Sequence, residues 1–444
     1  MPSLERLPYV SVCIPVRNGE SCLAHCLSNL LVHSNYPSDR FEIVLADHGS
    51  TDETAATITE WASRFPNVRS VHVPFTARCR AAVRNAAIHA SRGELLVLID
   101  HDVLTPADFL LMHARAHQAF PKSLVAGSIL GTRADPALAE ELRVDWDHVS
   151  SAEASLLQHA AMADPRSASI SSVDRSGLTE VTDQCGSFRW FWGGNLSVAK
   201  ADVDAAGLFD ERYEGWGLED GDFALQLRSA GRRLVFARSA WAVHLPCASD
   251  GWSKLAEWRH NFERFFRKCP TREIESYGFY GPELIDAGIR KLEEQARILG
   301  RVDVNPLLDR IAGRLPPRTG RRLAHFVPDL RSAQALALTD ALCPFGARTA
   351  GPSVVDDIHF WPITGMKLPF AARELDEVVV LADMLMWLDP FLLKLLLCEV
   401  ARCAGKVTFC ASWGARERSQ GLPFRALQEI AASVRLEGVT WIDV

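Results

Sequence analysis

The chain has 444 residues, of which 48% are hydrophobic and 23% charged, a composition typical of a globular protein rather than a disordered or fibrous one. The formal net charge of −7 argues against a nucleic-acid-binding protein, because such proteins usually carry a basic face. One hydrophobic core rarely serves a chain of this length, so we expect two or three domains.

The sequence also predicts where the protein resides. Eleven cysteines are scattered without the paired spacing of a zinc site, which favours a reducing compartment. The first apolar run, Tyr9–Val16, has the length of a strand and not of a secretion signal. The most apolar segment, Val378–Val400, contains charged residues that disfavour a bilayer span. We therefore predict a cytoplasmic protein without a transmembrane span.

Strands alternate with helices through the first part of the chain. The predicted strands are Tyr9–Val16, Phe41–Ala46, Val68–Val73, Leu95–Ile99 and Leu124–Leu130. The helices predicted between and after them are Cys22–Val32, a segment ending near Phe65, Arg78–Ser91 and Leu110–Phe120. Such alternation predicts an α/β fold, with a mainly parallel sheet covered by helices on both faces.

Two aspartates directly follow a strand that should be buried on both faces. Asp100 and Asp102, with His101 between them, end the strand Leu95–Ile99. Residues two apart on an extended segment can reach one site, and a divalent cation with oxygen ligands best relieves their repulsion. The alternative is a solvated strand end followed by a helix cap at Thr105.

A second acidic cluster follows a glycine-rich turn. Glu219, Asp220 and Asp222 come directly after Gly215-Trp216-Gly217-Leu218 and open a helix. The helix dipole accounts for one or two acidic residues there, but crowded carboxylates raise one another's pKa and cost stability. A functional role is therefore favoured. Upstream, the Gly193-Gly194 pair before a strand would let a ligand or another backbone approach closely.

Two strands, Arg233–Ala237 and Ala240–Leu245, are predicted next, the second with His244 near its end. The helix Gly251–Cys269 has one aromatic face surrounded by basic residues. Packing on the catalytic domain and a peripheral membrane or acceptor surface are both compatible with that face.

We place the domain boundaries at 1–250, 251–320 and 321–444. The polar segment Ala134–Arg175 has the character of an insertion that shapes an acceptor pocket, and the prolines at 306, 316 and 317 mark a linker. In the last domain a strand reaching Asp383, the helix Pro390–Arg402 and the strand Gly405–Cys410 predict a smaller, Rossmann-like α/β fold. It faintly resembles class I methyltransferases but lacks their Gly-rich loop, so we expect a degenerate accessory domain.

A family resemblance covers roughly the first hundred residues. The segments that carry it are VSVCIPVRN, EIVLADHGSTDET and ARCRAAVRNAAIHASRGELLVLIDHD. In order and spacing they resemble the nucleotide-binding half of family-2 glycosyltransferases with the GT-A fold. Two positions depart from the family pattern, because His48 replaces the usual second acidic residue and Arg17 stands where an aromatic residue is common.

The resemblance implies roles for individual residues. Asp47 would bind the uracil of a UDP-sugar, and Pro15 and Arg17 would border the base. Arg84 would lie near the phosphates, and Asp100 and His101 would face the nucleotide sugar. The implied ligands of Mn²⁺ or Mg²⁺ are Asp102, Asp100 and His244.

The segment around Trp216 resembles the acceptor half of galactosyltransferase-like and chondroitin-polymerase-like enzymes. By that likeness Asp220 is the catalytic base, Glu219 binds the acceptor or orients the site, and Trp216, Gly217 and Gly194 hold the acceptor. The implied activity is inverting, metal-dependent transfer of a sugar to a glycan, lipid or peptide acceptor. A catalytically silent nucleotide-sugar-binding scaffold and a bifunctional glycosyltransferase and methyltransferase are the alternatives, and homodimerisation is an open question.

Overall fold

The computed structural model describes the greater part of the N-terminal half and separate segments beyond it. The described residues are 6–75, 79–130, 178–184, 186–245, 251–271, 273–278, 290, 323–326, 340–342, 353–355, 358–361, 367–381, 385, 390–411, 424–434, 436 and 438–443. The chain divides into two compact units, Met1–Asn261 and Phe262–Val444. The predicted insertion and linker lie outside the described residues, and the finer three-part division stays a prediction.

The first unit is built on a nine-stranded sheet. Its strands are β1 Val10–Val16, β2 Phe41–Asp47, β3 Val68–His72, β4 Leu95–Ile99, β5 Val103–Leu104, β6 Ser123–Leu130, β7 Leu178–Glu180, β8 Asn195–Ala199 and β9 Arg233–His244. Its helices in the described residues are α1 Leu23–Leu31, α2 Thr54–Arg64, α3 Arg80–Ala90, α4 Phe109–Ala119, α5 Lys200–Ala206, α6 Glu219–Ser229 and α7 Gly251–Lys268, the last of which continues past Asn261.

The predicted α/β architecture is confirmed. Strands run in the order β3-β2-β1-β4-β8-β6-β9-β5, with β7 paired to β9. The first four strands in this order, β3, β2, β1 and β4, are parallel, as the alternating pattern predicts. Strand β8 runs antiparallel to both β4 and β6. The sheet is therefore mixed in its second half. Every residue of β2 and β4 is buried, which explains their continuous apolar runs.

One element differs from its prediction. The two strands expected at 233–237 and 240–245 are a single strand, β9. Its pairing with β6 shifts register between Gly127 and Ile129. A side chain on Gly127 would have its Cβ 1.9 Å from the carbonyl oxygen of Ala240, so glycine permits the close approach at this irregularity.

A buried histidine network joins helix α4 to the sheet. Asn195 donates its amide hydrogens to the carbonyl oxygens of Ser128 and Ala240, so its Oδ1 accepts from His113 Nε2 at 2.9 Å. The Nδ1 atom of His113 then accepts from the Ser197 hydroxyl, which in turn accepts from His117 Nε2. His113 is thereby fixed as the neutral Nε2–H tautomer, and His117 donates through Nε2.

This network predicts acid sensitivity. Burial lowers the pKa of His113 to about 3 and that of His117 to about 4, whereas in the unfolded chain both lie near 6.5. The unfolded state therefore takes up protons first as pH falls below 6.5, and stability is lost at up to about 2.7 kcal/mol per pH unit. We expect the urea midpoint to fall between pH 6.5 and pH 4.

The variant His117→Gln removes one of the two groups that take up a proton on unfolding. A glutamine amide can donate to Ser197 as the imidazole does, but it does not titrate. Its urea midpoint should depend about half as steeply on pH as that of the wild type. An unchanged pH dependence would show that the protons are taken up elsewhere.

The second unit contains a seven-stranded sheet. Its strands are β10 Leu323–Phe326, β11 Asp340–Leu342, β12 Ser353–Val355, β13 Ile358–Trp361, β14 Glu377–Leu381, β15 Val407–Ala411 and β16 Val439–Asp443, with helices α8 Pro390–Cys403 and α9 Phe424–Ser433 among the described residues. The order is β12-β13-β11-β10-β14-β15-β16, parallel except for β12. This doubly wound arrangement agrees with the predicted Rossmann-like fold.

Two observations bear on membrane association. Within the second unit the side chains of Phe262, Phe265 and Phe266 are buried. This burial favours the interpretation that the aromatic face of α7 packs inside the protein. Across the residues that the structure describes, no helix is both long and apolar enough to cross a bilayer.

Candidate active site

The main chain holds Asp102 and His244 as diagonal neighbours on two paired strands. Strands β5 and β9 pair antiparallel with Val103 opposite His244, and the Leu245 amide donates to the carbonyl oxygen of Asp102 at 2.8 Å. The carboxylate Oδ2 of Asp102 consequently lies 3.5 Å from Nε2 of His244. Asp100, which directly follows β4, is the third member of this group.

The chemistry of this group fits a divalent cation. One ligand atom from each of Asp100, Asp102 and His244 lies within 4.8 Å of the others, and no other set of three such side chains does so within the described residues. Nδ1 of His244 donates to the carbonyl oxygen of Leu245 at 2.8 Å, which leaves Nε2 as the lone-pair atom. The Oδ1 atom of Asp102 is buried without a hydrogen-bond partner. Two carboxylates and an imidazole suit Mn²⁺.

A single arginine collects three carboxylates beside this group. Nη1 of Arg84 donates to Asp220 at 2.8 Å and to Glu219 at 3.0 Å, while Nη2 donates to Asp100 at 3.2 Å. The Arg84 side chain is only 2% exposed. Its predicted contact with the phosphates stays a prediction, because its neighbours in the structure are the carboxylates of the protein itself.

The charges of this cluster do not balance. One guanidinium faces three carboxylates, so two negative charges remain when all are ionised. Burial raises the pKa of Asp220 to about 7, against the opposing effect of Arg84 and with a further contribution from Glu219. Burial alone would also raise the pKa of Asp100, but Arg84 and Arg80 lower it below its usual range. Asp220 is therefore the carboxylate that exchanges a proton near neutral pH.

The glycine pair before β8 provides the close approach that the sequence suggests. The Gly193 amide donates to Oδ2 of Asp220 at 2.9 Å. A Cβ at Gly193 would lie 2.4 Å from the guanidinium carbon of Arg84, and one at Gly194 would lie 3.3 Å from Oδ2 of Asp100. Only glycine at position 193 leaves room for the Arg84 cluster.

The turn before Glu219 presents an aromatic side chain next to these carboxylates. Trp216 is 37% exposed, which is unusual for so large an apolar side chain. The residues around it are left-handed, with φ of +73° at Gly215, +96° at Gly217 and +77° at Leu218. This backbone ends directly in helix α6, whose first two residues are Glu219 and Asp220.

The predicted base-binding residues form a separate group at the ends of β1 and β2. Oδ1 of Asp47 accepts hydrogen bonds from the amide and hydroxyl of Ser50, and its Oδ2 lies 3.5 Å from Nδ1 of His72. The Arg17 guanidinium donates to the carbonyl oxygen of His48 and stacks 3.3 Å above the ring of Phe75.

Two strand intervals in the sheet separate β2 from β4, a distance of about 10 Å along the edge. Asp47 and Asp100 therefore lie at the same edge of the sheet, two strand spacings apart. Pro15 lies on β1 opposite Ala46, and the ring of His101 packs where a side chain at Gly19 would lie.

Several residues of the site carry no signal in the sequence. Phe75 and His72 lie in an unremarkable segment around the end of β3, and their contacts with Arg17 and Asp47 depend on how the strands pair. Gly193 was recognisable as half of a glycine pair, but its hydrogen bond to Asp220 spans 27 positions in the chain.

Comparison with known proteins agrees with this geometry. Residues 11–160 match the family model for glycosyl transferase family 2, and residues 184–243 match the model for the N-terminal domain of galactosyltransferase. The first range contains Asp47, Arg84, Asp100 and Asp102, and the second contains Gly193, Trp216, Glu219 and Asp220.

A curated relative, validoxylamine A glucosyltransferase of Streptomyces hygroscopicus subsp. limoneus, is 26% identical over 85% of this chain and 85% of its own length. The structure of S. aureus TarS with UDP-GlcNAc overlaps 68% of this chain and 76% of its own, at 16% identity and a TM-score of 0.44. The mannosyltransferase PcManGT from Pyrobaculum calidifontis, solved with GDP-Man and Mn²⁺, overlaps 60% and 64%, at 21% identity and a TM-score of 0.40.

The fold, the carboxylate cluster and the matched family models together define a glycosyltransferase with an α/β catalytic domain of the GT-A type. The match to the family-2 model covers 150 of the 444 residues. The acidic turn at Trp216 belongs to the segment that matches the galactosyltransferase model.

Proposed function

We propose that the protein is an inverting, metal-dependent glycosyltransferase that moves a sugar from a UDP-sugar to a hydroxyl of the acceptor. The observation that supports this most is the position of Asp100, which belongs both to the Asp-Asp-His group and to the Arg84 cluster with Asp220. The candidate cation site therefore lies next to Asp220, whose pKa is raised to about 7 by burial.

In this proposal Asp102, Asp100 and His244 would hold Mn²⁺ or Mg²⁺, which would supply positive charge near the diphosphate of the donor. Asp220 accepts the proton of the acceptor hydroxyl as its oxygen forms the new bond to the anomeric carbon. The bond from that carbon to the diphosphate oxygen breaks, and its electron pair leaves with the diphosphate. Arg84 and the Gly193 amide keep Asp220 in place during this transfer.

The same site suggests where the donor and the acceptor would bind. Asp47 and Arg17 would hold the base end, about 10 Å along the sheet edge from Asp100. Trp216, with Gly217 and Gly194, would hold the acceptor, because an exposed indole offers an apolar face to a sugar-like ring. The relative named validoxylamine A glucosyltransferase makes a glucosyl donor and validoxylamine A the first pair to test.

Removing a metal ligand tests the proposal directly. With UDP present, Mn²⁺ should raise the melting temperature of the wild type, because a ligand that binds only the native state stabilises it. Asp102→Asn should lose most of that increase and at least about 100-fold in turnover of a UDP-sugar, since several kcal/mol of charge stabilisation disappear. Thermal unfolding and UDP release would measure the two effects.

The exposed Asp39 provides the matched control, and Asp39→Asn should behave as the wild type. Full metal-dependent activity in Asp102→Asn would refute the site assignment. Product whose anomeric configuration equals that of the donor would refute inversion. UDP binding without turnover across a broad acceptor panel would instead support a silent scaffold.

A further inference from the structure

Asn261 lies on helix α7 and faces the turn that carries Trp216. Its side chain is fully buried. The amide nitrogen donates to the carbonyl oxygens of Glu214 at 2.9 Å and Gly217 at 3.0 Å, and more weakly to that of Trp216 at 3.4 Å. The amide oxygen accepts from the backbone N–H of Glu214 at 3.3 Å. One side chain thus satisfies backbone groups along the whole turn.

This turn needs such support because its backbone is unfavourable. Gly215, Gly217 and Leu218 all have positive φ, and Leu218 has a Cβ that makes the left-handed conformation unfavourable. Strained backbone of this kind persists only where the surroundings over-determine it. Asn261 provides the hydrogen bonds that do so.

Helix α7 also fixes the turn by close packing. A Cβ at Gly215 would lie 2.6 Å from the carboxyl carbon of Glu257, and one at Gly217 would lie 3.0 Å from the Trp258 ring. On its other side Gly215 forms a parallel β-bridge with Cys79, the residue that caps helix α3. The turn is therefore confined between two helices, one of which carries Arg84.

The turn in turn determines where helix α6 begins. The carbonyl oxygen of Leu218 accepts the first helical hydrogen bond, from the Asp222 amide at 2.9 Å. Glu219 and Asp220 are the next two residues, so their directions depend on the backbone of Leu218. A shift of the helix start by one residue would rotate each side chain by about 100°.

We propose that Asn261 is a positioning residue for catalysis: by holding the turn from Glu214 to Leu218 it sets the direction of Asp220 towards the acceptor. The proposal rests on the function proposed above, in which Asp220 is the base. It assigns no contact between Asn261 and either substrate.

The test is the variant Asn261→Asp, which keeps the shape of the side chain but replaces its NH₂ donor with an oxygen that faces carbonyl oxygens. We expect turnover of a UDP-sugar to fall about 100-fold, the cost of a misplacement of about 1 Å, while KM for the donor changes by less than about threefold. Asn261→Ser, which is too short to span the turn, should show the same split between kcat and KM.

A second readout does not depend on activity. In protein labelled with 5-fluorotryptophan, the ¹⁹F resonance of Trp216, assigned with Trp216→Phe, should shift or broaden in Asn261→Asp. The matched control is Asn29→Asp, in which a buried asparagine that donates to the carbonyl oxygen of His25 undergoes the same chemical change outside the site. Its Trp216 resonance and its turnover should equal those of the wild type.

A Trp216 resonance that stays unchanged in both Asn261 variants, or turnover within twofold of the wild type, would overturn the positioning role. Equal loss of activity in Asn29→Asp would also overturn it, because general destabilisation would then explain the loss in the Asn261 variants. A wild type that turns over no nucleotide sugar would count against the proposed function, while the ¹⁹F comparison would still decide whether Asn261 holds the turn.

Discussion

Replacing Asp220 with asparagine is expected to lower turnover by about 10²–10⁴-fold, the usual contribution of a positioned general base. The variant should still fold. Asparagine removes one of the three negative charges around Arg84 but presents an NH₂ group to either Arg84 or the Gly193 amide, which both donate. These two effects oppose each other, so we expect the melting temperature to change by only a few degrees.

The pH dependence of the wild type gives the same residue a second test. A base must be deprotonated to act, and burial raises the pKa of Asp220 to about 7. The turnover number at saturating donor, after subtraction of the rate measured without metal, should therefore increase with pH through about 7 and then level off. The control Asp204→Asn, at an exposed aspartate of helix α5, should leave both the rate and its pH profile unchanged.

Replacing Arg84 with methionine should destabilise the protein by about 3–5 kcal/mol, because it leaves buried carboxylates without their counter-charge. Glu219 is almost fully buried and its Oε2 already lacks a hydrogen-bond partner, so it cannot be compensated by water. The loss should be larger at pH 8 than at pH 5, since protonation of Asp220 relieves part of the repulsion. Urea denaturation at the two pH values measures the difference.

Arg64→Met is the matched control, because Arg64 pairs with Glu60 on the exposed face of helix α2. An exposed ion pair of this type contributes little, and the control should change stability by less than about 1 kcal/mol. If Arg84→Met were no less stable than Arg64→Met at pH 8, the carboxylate cluster would not depend on Arg84.

The sequence predicted the first half of the catalytic sheet well because β1, β2 and β4 are almost entirely buried and therefore form continuous apolar runs. The sequence was less informative for the second half of the sheet, where the direction of the strands changes. The antiparallel placement of β8 between β4 and β6, and the continuity of β9, depend on pairings between distant segments. Local patterns contain no information about such pairings.

The residues of the site likewise differ in how well the sequence predicted them. Asp100 and Asp102 stood out because two carboxylates at the end of a buried strand are costly, and His244 joined them only through the family resemblance. The pairing of β5 with β9 brings Asp102 and His244 together, and the end of β4 adds Asp100. Asn261 could not be predicted, because a lone asparagine on a helix looks the same whether it faces solvent or supports a turn 44 to 47 positions away.

The pairing of β5 with β9 has a consequence for how this enzyme can diverge. The register places Val103 opposite His244 and Asp102 next to Leu245, so Asp102 and His244 are diagonal neighbours where the two strands end. Since side chains alternate between the faces of a strand, deleting one residue within β9 would turn His244 away from Asp102. The length of this strand should therefore be under stronger selection than the identity of most residues in it.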